Sequence, residues 1–259
     1  MREAALFFHA GVAALPLLTA ALVLGAGVPL HHGAFAAALL GTLPLLSLAQ
    51  LPLLDIREVP RIPAYRHSAA VLAGLGGVSL ALGLTGPGAA ALGLALPGDA
   101  STLLVLGALA AAVFAVGGAF HLVQRWTGWE ENPFLHHLIP RTRRERRLFA
   151  LLSLAAGFGE ELAYRGYLLA VLTPHFTGPW AAALVSTLAF ALLHAYQGPL
   201  GMVRSGVLGF IFAGSLVLGG SLWPAVVVHA GVDLVSGLIL GPRMLATDER
   251  GNTPPSGGT

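Results

Sequence analysis

The sequence contains no cysteine and no lysine, and charged residues make up only 10% of its 259 positions. Without cysteine, the chain can form neither disulfide bonds nor cysteine–zinc sites, and it has no thiol nucleophile. A soluble domain carries about 25% charged residues, whereas here 56% of the residues are hydrophobic and the mean hydropathy is +0.78. The composition therefore indicates a protein embedded in the lipid bilayer.

All 14 residues of the Lys+Arg count are arginine, and the net charge of +2 is too small to indicate nucleic-acid binding. Most of the arginines lie in two loops, at residues 55–67 and 124–147. Arginine-rich loops remain in the cytoplasm. We therefore expect a multi-pass integral protein of a bacterial or archaeal inner membrane, with the N- and C-termini on the cytoplasmic side.

Apolar runs separated by proline, glycine and charge predict an all-α fold of about eight transmembrane helices, each needing roughly 20 apolar residues. The expected spans are residues 5–28, 33–54, 68–85, 101–123, 148–172, 179–197, 203–220 and 223–240. Residues 1–240 are expected to form one domain, and residues 241–259 a disordered tail rich in Gly, Pro and Thr. The segment 86–97 is either part of a span or a re-entrant or interfacial piece.

The fifth expected span contains two adjacent glutamates and an arginine. Glu161 and Arg165 are four residues apart, so they share a helix face in the favourable order for an ion pair. Glu160 is rotated by about 100° from its neighbour. If Arg165 neutralises Glu161, Glu160 is the carboxylate left to act as a base. The alternative is that all three residues form one buried ion-pair network between helices.

Two histidines and an aspartate lie in the later spans. His194 follows Phe190 by four residues, and Asp233 follows His229 by four. A carboxylate can orient an imidazole by accepting its ring N–H. Charged groups inside a span usually line a polar site and mark function. The helix rise of 1.5 Å places Glu160 about 18 Å from the cytoplasmic end of its helix and His194 about 5 Å from that of its own, so convergence requires tilted or offset helices.

These residues form three short patterns in order: EExxxR from Glu160 to Arg165, FxxxH from Phe190 to His194, and HxxxD from His229 to Asp233. In this the chain resembles the CPBP intramembrane proteases, which include the type II CAAX prenyl endopeptidases and bacteriocin-processing or self-immunity proteins. The resemblance covers residues 140–240, and it marks 148–240 as a catalytic core of four helices. One departure is that Asp233 stands where the eukaryotic CAAX enzymes have asparagine.

The resemblance implies hydrolysis of a peptide bond in a membrane-anchored peptide or protein. Glu160 and His194 would polarise a water molecule, His229 and Asp233 would stabilise the oxyanion or position the substrate, and Glu161, Arg165 and Phe190 would support them. The same four residues, Glu160, His194, His229 and Asp233, are the candidate ligands of a Zn²⁺ ion. We favour a metal-free site, because Glu160 and His194 lack the close helical spacing of a zinc pair.

Two other functions stay open from the residues alone. Buried Glu, His and Arg also build the proton relays of transporters, although no inverted repeat is evident in the sequence. A non-catalytic immunity or scaffold protein could keep the same motifs for stability. The chain has no HExxH, no Gly-x-Ser-x-Gly and no phosphate-binding loop, so zincin, serine-hydrolase and nucleotide-driven functions lack support.

Overall fold

The structure is a computed structural model, and it describes residues 27–53, 59–96, 100–129 and 132–242. Throughout these residues the regular elements are helices, which we number α1 to α8. Helix α1 comprises Leu30–Ala37, a π-helical turn at Ala38–Thr42 and Leu43–Gln50; α2 is Arg61–Thr85, α3 is Ala100–Thr127 and α4 is the single turn Phe134–His137. Helix α5 comprises Arg143–Glu161, a π-helical segment at Leu162–Leu168 and Leu169–Leu172; α6 is Pro179–Leu193, α7 is Gly198–Gly219, and α8 is Trp223–Val235 with a π-helical end at Ser236–Leu240.

Five of these helices are long and apolar enough to cross a membrane: α1, α2, α3, α7 and α8. Helix α6 is apolar but shorter, and α5 is long but carries three charged residues at its middle. The all-α, multi-pass membrane fold is thus confirmed. Seven of the expected spans correspond to helices in the described residues, whereas the first, 5–28, lies almost wholly outside them, as does most of the tail 241–259.

Several helices begin earlier than expected, because their first turns include polar residues that hydropathy places in loops. Helix α2 begins at Arg61 rather than at residue 68, and α5 begins at Arg143 rather than at residue 148. The start of α5 is a capping box, in which Thr142 accepts from the Glu145 backbone and Glu145 accepts from the Thr142 backbone. Burial raises the pKa of the Glu145 carboxyl, but hydrogen bonds from the Thr142 and Arg141 backbone and the charge of Arg61 outweigh it, so its pKa is lowered.

Residues 86–96, which follow α2, form turns rather than a further helix. Their backbone carbonyls hold the start of α8: Gly93 accepts from the Leu222 N–H at 2.9 Å, and Leu94 accepts from Trp223 Nε1 at 3.3 Å. Leu92 is fully buried beneath it. These bonds satisfy backbone groups that would otherwise be costly near lipid. The segment therefore closes one end of the helix bundle.

The two arginine-rich regions meet at the opposite end of the bundle. Arg61 Nε lies 3.9 Å from Glu145 Oε1 and donates to the Ile139 carbonyl at 3.3 Å. Tyr65 donates to the Leu138 carbonyl at 2.7 Å. Both regions thus lie at the same end, as the distribution of arginine predicts.

Helix α5 is the central helix, and glycines immediately before the two glutamates let its neighbours approach closely. A Cβ added at Gly157 would lie 2.8 Å from the backbone nitrogen of Ala230 on α8. A Cβ at Gly159 would overlap the carbonyl oxygen of Leu72 on α2. Small residues at such crossings bring helix backbones together in membranes. The contacts fix the height and rotation of α5 where it carries Glu160 and Glu161.

Candidate active site

The buried centre of the site is the ion pair that the sequence predicts within α5. Arg165 Nη1 donates to Glu161 Oε1 at 2.9 Å, and the two side chains are 1% and 0% exposed. Arg165 lies inside the π-helical segment Leu162–Leu168, and π-helical turns are frequent at functional sites. The pair is therefore an enclosed structural element of α5.

Helix α8 joins this pair through His229. Nδ1 of His229 lies 2.7 Å from Glu161 Oε1, so the ring N–H donates to the carboxylate. Its Nε2 faces the other two carboxylates, at 3.7 Å from Glu160 Oε2 and 4.0 Å from Asp233 Oδ2. Asp233 was one candidate from the sequence for orienting His229; in the structure Glu161 accepts the ring N–H.

Glu160 has different surroundings from Glu161. Its side chain is 14% exposed, and its Oε2 atom is buried without a hydrogen-bond partner. Glu161 Oε2 and Arg165 Nη2 also lack partners, but they belong to side chains that solvent does not reach. Among the three glutamate and aspartate side chains around His229, Glu160 therefore combines a free oxygen with partial access, whereas Asp233 is the most open, at 36%.

Phe190 of the FxxxH pattern packs at the centre of the site. The guanidinium carbon of Arg165 lies 3.9 Å from its ring centroid, within cation–π range. The His194 and His229 rings lie 4.5 and 6.3 Å from the same centroid. Gly209 of α7 completes the enclosure, since its carbonyl accepts from Arg165 Nε at 3.3 Å and a Cβ there would overlap the guanidinium.

His194 lies where α6 ends. It is the C-terminal cap, with φ −91° and ψ 12°, so α6 stops at Leu193 rather than at residue 197. His194 Nδ1 donates to the Phe190 carbonyl at 2.9 Å, which leaves Nε2 as the acceptor of the neutral ring. No hydrogen bond joins His194 to Glu160 among the described residues. Counted from the other ends of their helices, Glu160 lies about 18 Å from Leu172 and His194 about 22 Å from Pro179 at 1.5 Å per residue. The two residues can therefore lie at similar depth, because α6 ends at Leu193.

The sequence interpretation missed two aromatic residues of the site. Phe212 on α7 stacks on His229, with centroids 5.6 Å apart and planes at 26°. Tyr196 stacks on His194, with centroids 6.0 Å apart and planes at 30°. Phe212 lies three residues after Gly209, a spacing that could not be recognised because neither residue belongs to the three motifs. Tyr196 lies two residues after His194, the last residue of the FxxxH motif, and this proximity was the signal available for it.

The four candidate zinc ligands do not form a metal-binding set as they are placed. His229 bonds to Glu161 and His194 to the Phe190 carbonyl through Nδ1, which metal-binding histidines also do, so these bonds alone do not argue against a metal. Across the part of the chain that the structure describes, no group of three or more His, Asp or Glu side chains is arranged to hold a metal ion. We therefore derive the chemistry of the site from the protein groups alone.

Comparison with known protein families identifies this region. Residues 144–235 match the family described as Rce1-like, type II CAAX prenyl endopeptidase Rce1-like. No curated protein and no solved structure matches the chain. The match supports the resemblance over the segment that carries all three motifs. The activity that this family implies is intramembrane proteolysis of membrane-associated peptides.

Proposed function

We propose that this protein is an intramembrane endopeptidase in which Glu160 and His194 activate a water molecule for attack on a peptide bond. The observation that carries the proposal is that the two adjacent glutamates differ in their hydrogen bonds and in their exposure. Glu161 is enclosed and bonded to Arg165 and His229, whereas Glu160 keeps a buried carboxylate oxygen without a hydrogen-bond partner, on a side chain that is 14% exposed. A carboxylate with an unbonded oxygen 3.7 Å from the His229 imidazole is suited to proton transfer.

In the first step, Glu160 accepts a proton from water while the neutral Nε2 of His194 accepts the other water hydrogen as a hydrogen bond. The water oxygen bonds to the carbonyl carbon, and the C=O π electrons move to the carbonyl oxygen. In the second step these electrons re-form the C=O bond as the C–N bond breaks. Glu160 returns its proton to the leaving nitrogen, so the products are a carboxylic acid and an amine.

The remaining polar residues hold this geometry. Glu161 and Arg165 fix His229, and Phe190 packs against Arg165 and both histidines. Since a side chain misplaced by about 1 Å can cost about 100-fold in rate, these buried contacts are expected to matter as much as the reacting groups. The substrate class proposed is a membrane-anchored peptide or protein whose scissile bond reaches the level of Glu160.

The proposal is tested with purified protein in liposomes and a panel of membrane-anchored peptides, with and without a prenyl group, analysed by mass spectrometry. We expect cleavage at one bond by the parent protein and a loss of about 10²–10⁴-fold in Glu160→Gln. Arg66→Gln, an exposed change on α2, is the matched control and should cleave normally. A proton-coupled transporter or a scaffold would instead cleave nothing, and equal cleavage by parent and Glu160→Gln would remove Glu160 from the mechanism.

A further inference from the structure

The attack on a peptide carbonyl creates a negatively charged oxygen, which needs hydrogen-bond donors. The side chains around His229 Nε2 are poor in donors, because Glu160 and Asp233 only accept when they are ionised. A proton on His229 Nε2 would face these two carboxylates, at 3.7 and 4.0 Å. The oxyanion donor is therefore expected on another element that borders the site.

The turn between α6 and α7 supplies a donor of fixed orientation. Gln197 Oε1 accepts from Arg204 Nη2 at 3.4 Å and from Ser205 Oγ at 3.3 Å. With two donors on its oxygen, the amide must direct its NH₂ group the other way, where Nε2 donates to the Tyr196 hydroxyl at 3.3 Å. Tyr196 accepts in that bond, so its own hydroxyl hydrogen is available to donate elsewhere.

The turn itself is held in place by backbone bonds. The Gln197 N–H donates to the His194 carbonyl at 2.9 Å, and the Gln197 carbonyl accepts from the Asn132 N–H at 3.0 Å. Gly198 then leaves the turn with φ +84°, in the left-handed region that glycine adopts without strain. Tyr196 thus sits on a rigid turn, stacked on His194.

Tyr196 also borders the site through His194, because the two rings stack with centroids 6.0 Å apart. Its side chain is only partly exposed. The His194 ring therefore lies against a phenol whose oxygen is already oriented by Gln197.

We propose that the Tyr196 hydroxyl donates the hydrogen bond that stabilises the oxyanion, with Gln197 as the positioning residue that directs its hydrogen towards the substrate. This inference rests on the proposed peptidase function. The C=O π electrons move to the carbonyl oxygen as water adds, the Tyr196 O–H donates to that oxygen without transferring its proton, and the bond weakens again when the carbonyl re-forms.

The test is a comparison of kcat and KM for Tyr196→Phe and the parent on one cleaved peptide. Removing an oxyanion donor costs about 10²–10³-fold in kcat, so we expect that loss with KM changed by less than about threefold, since the bond is made only in the transition state. Tyr65→Phe is the matched control. It also removes a tyrosine hydroxyl, one that donates to the Leu138 carbonyl at the far end of the bundle, and it should keep the parent kcat.

A second variant tests the orientation itself. In Gln197→Glu the side chain accepts from the Tyr196 hydroxyl instead of donating to it, so kcat should fall with little change in KM. Affinity for a peptide phosphonate, a tetrahedral analogue, should fall with kcat in both variants. An unchanged kcat in Tyr196→Phe, or an analogue affinity that does not follow kcat, overturns the inference. Failure of the parent protein to cleave any peptide would instead reject the peptidase function.

Discussion

Nδ1 of His229 lies 2.7 Å from Oε1 of Glu161, a residue 68 positions earlier in the chain. The same oxygen accepts from Arg165 Nη1 at 2.9 Å. This relationship joins the first and third motifs through one buried carboxylate oxygen. It also distinguishes the two adjacent glutamates, because Glu161 bonds to Arg165 and His229 whereas Glu160 Oε2 has no hydrogen-bond partner.

The first prediction is that the two glutamates differ in their effect on stability. Glu161→Gln removes the charge opposite buried Arg165 and should cost about 3–5 kcal/mol, the range for breaking a buried pair. Glu160→Gln should leave the unfolding free energy within about 1 kcal/mol of the parent. Unfolding in detergent, followed by circular dichroism, measures both. Equal destabilisation by the two changes would contradict the conclusion that Glu161, and not Glu160, stabilises the fold.

The second prediction concerns the guanidinium of Arg165. Arg165→Ala leaves Glu161 buried without a cation and should cost about 3–5 kcal/mol. Arg165→Lys keeps the charge but loses the planar packing on Phe190 and the fixed bond to the Gly209 carbonyl, so we expect an intermediate loss. The same unfolding assay applies, and an unchanged midpoint for Arg165→Ala would show that the pair does not hold the fold.

Local spacing explains what the sequence could predict about the site. The four-residue separation of Glu161 and Arg165 predicts their ion pair, which the structure confirms at 2.9 Å. The same separation of His229 and Asp233 predicts a shared face, and their closest atoms lie 4.0 Å apart. Spacing within one helix carries no information about partners on other helices. The bond between His229 and Glu161 therefore could not be predicted.

Helix bounds were less predictable than the all-α class of the fold, for a physical reason. Hydropathy detects the apolar part of a span, whereas caps and turns depend on polar residues and on backbone geometry. The Thr142 and Glu145 capping box extends the start of α5, and Gly198 ends the turn after His194. The depth of His194 relative to Glu160 depends on these features, so an apolar run alone misplaced it.

The third prediction tests the close crossing of α5 over α2. Gly159→Ala puts a Cβ onto the Leu72 carbonyl, a backbone atom that cannot move alone. It should therefore destabilise the protein by about 1–3 kcal/mol, the typical cost of overpacking, and shift Glu160. Gly77→Ala on α2 is the matched control, because nothing lies within 4 Å of its added Cβ. It should be neutral or stabilising, since alanine is the better helix former.

The fourth prediction concerns orientation in the membrane. Both arginine-rich regions lie at one end of the bundle, and we expect that end to be cytoplasmic. The chain has no cysteine, so a thiol reagent can label only the cysteine that is introduced. In intact cells an impermeant thiol reagent should label Thr177→Cys, at the exposed turn after α5, and not Arg144→Cys. Labelling of Arg144→Cys alone would invert the topology.

The last prediction addresses metal dependence through Asp233. Because Glu161 already orients His229, Asp233 is expected to position substrate or tune the charge near Nε2, from 4.0 Å. Asparagine has nearly the same shape and adds a donor, so Asp233→Asn should retain substantial activity in the peptide assay. A zinc site would behave differently, because losing a carboxylate ligand weakens metal binding and activity together.

Metal analysis and chelators separate these outcomes. With a metal-free mechanism, the purified parent protein should keep its activity in the presence of a chelator, and added zinc should not raise it. Stoichiometric zinc in active protein, with chelator inhibition reversed by zinc, would overturn that mechanism. It would require Glu160, His194, His229 and Asp233 to move closer than the structure places them, and it would leave the peptidase assignment intact because zinc also activates water.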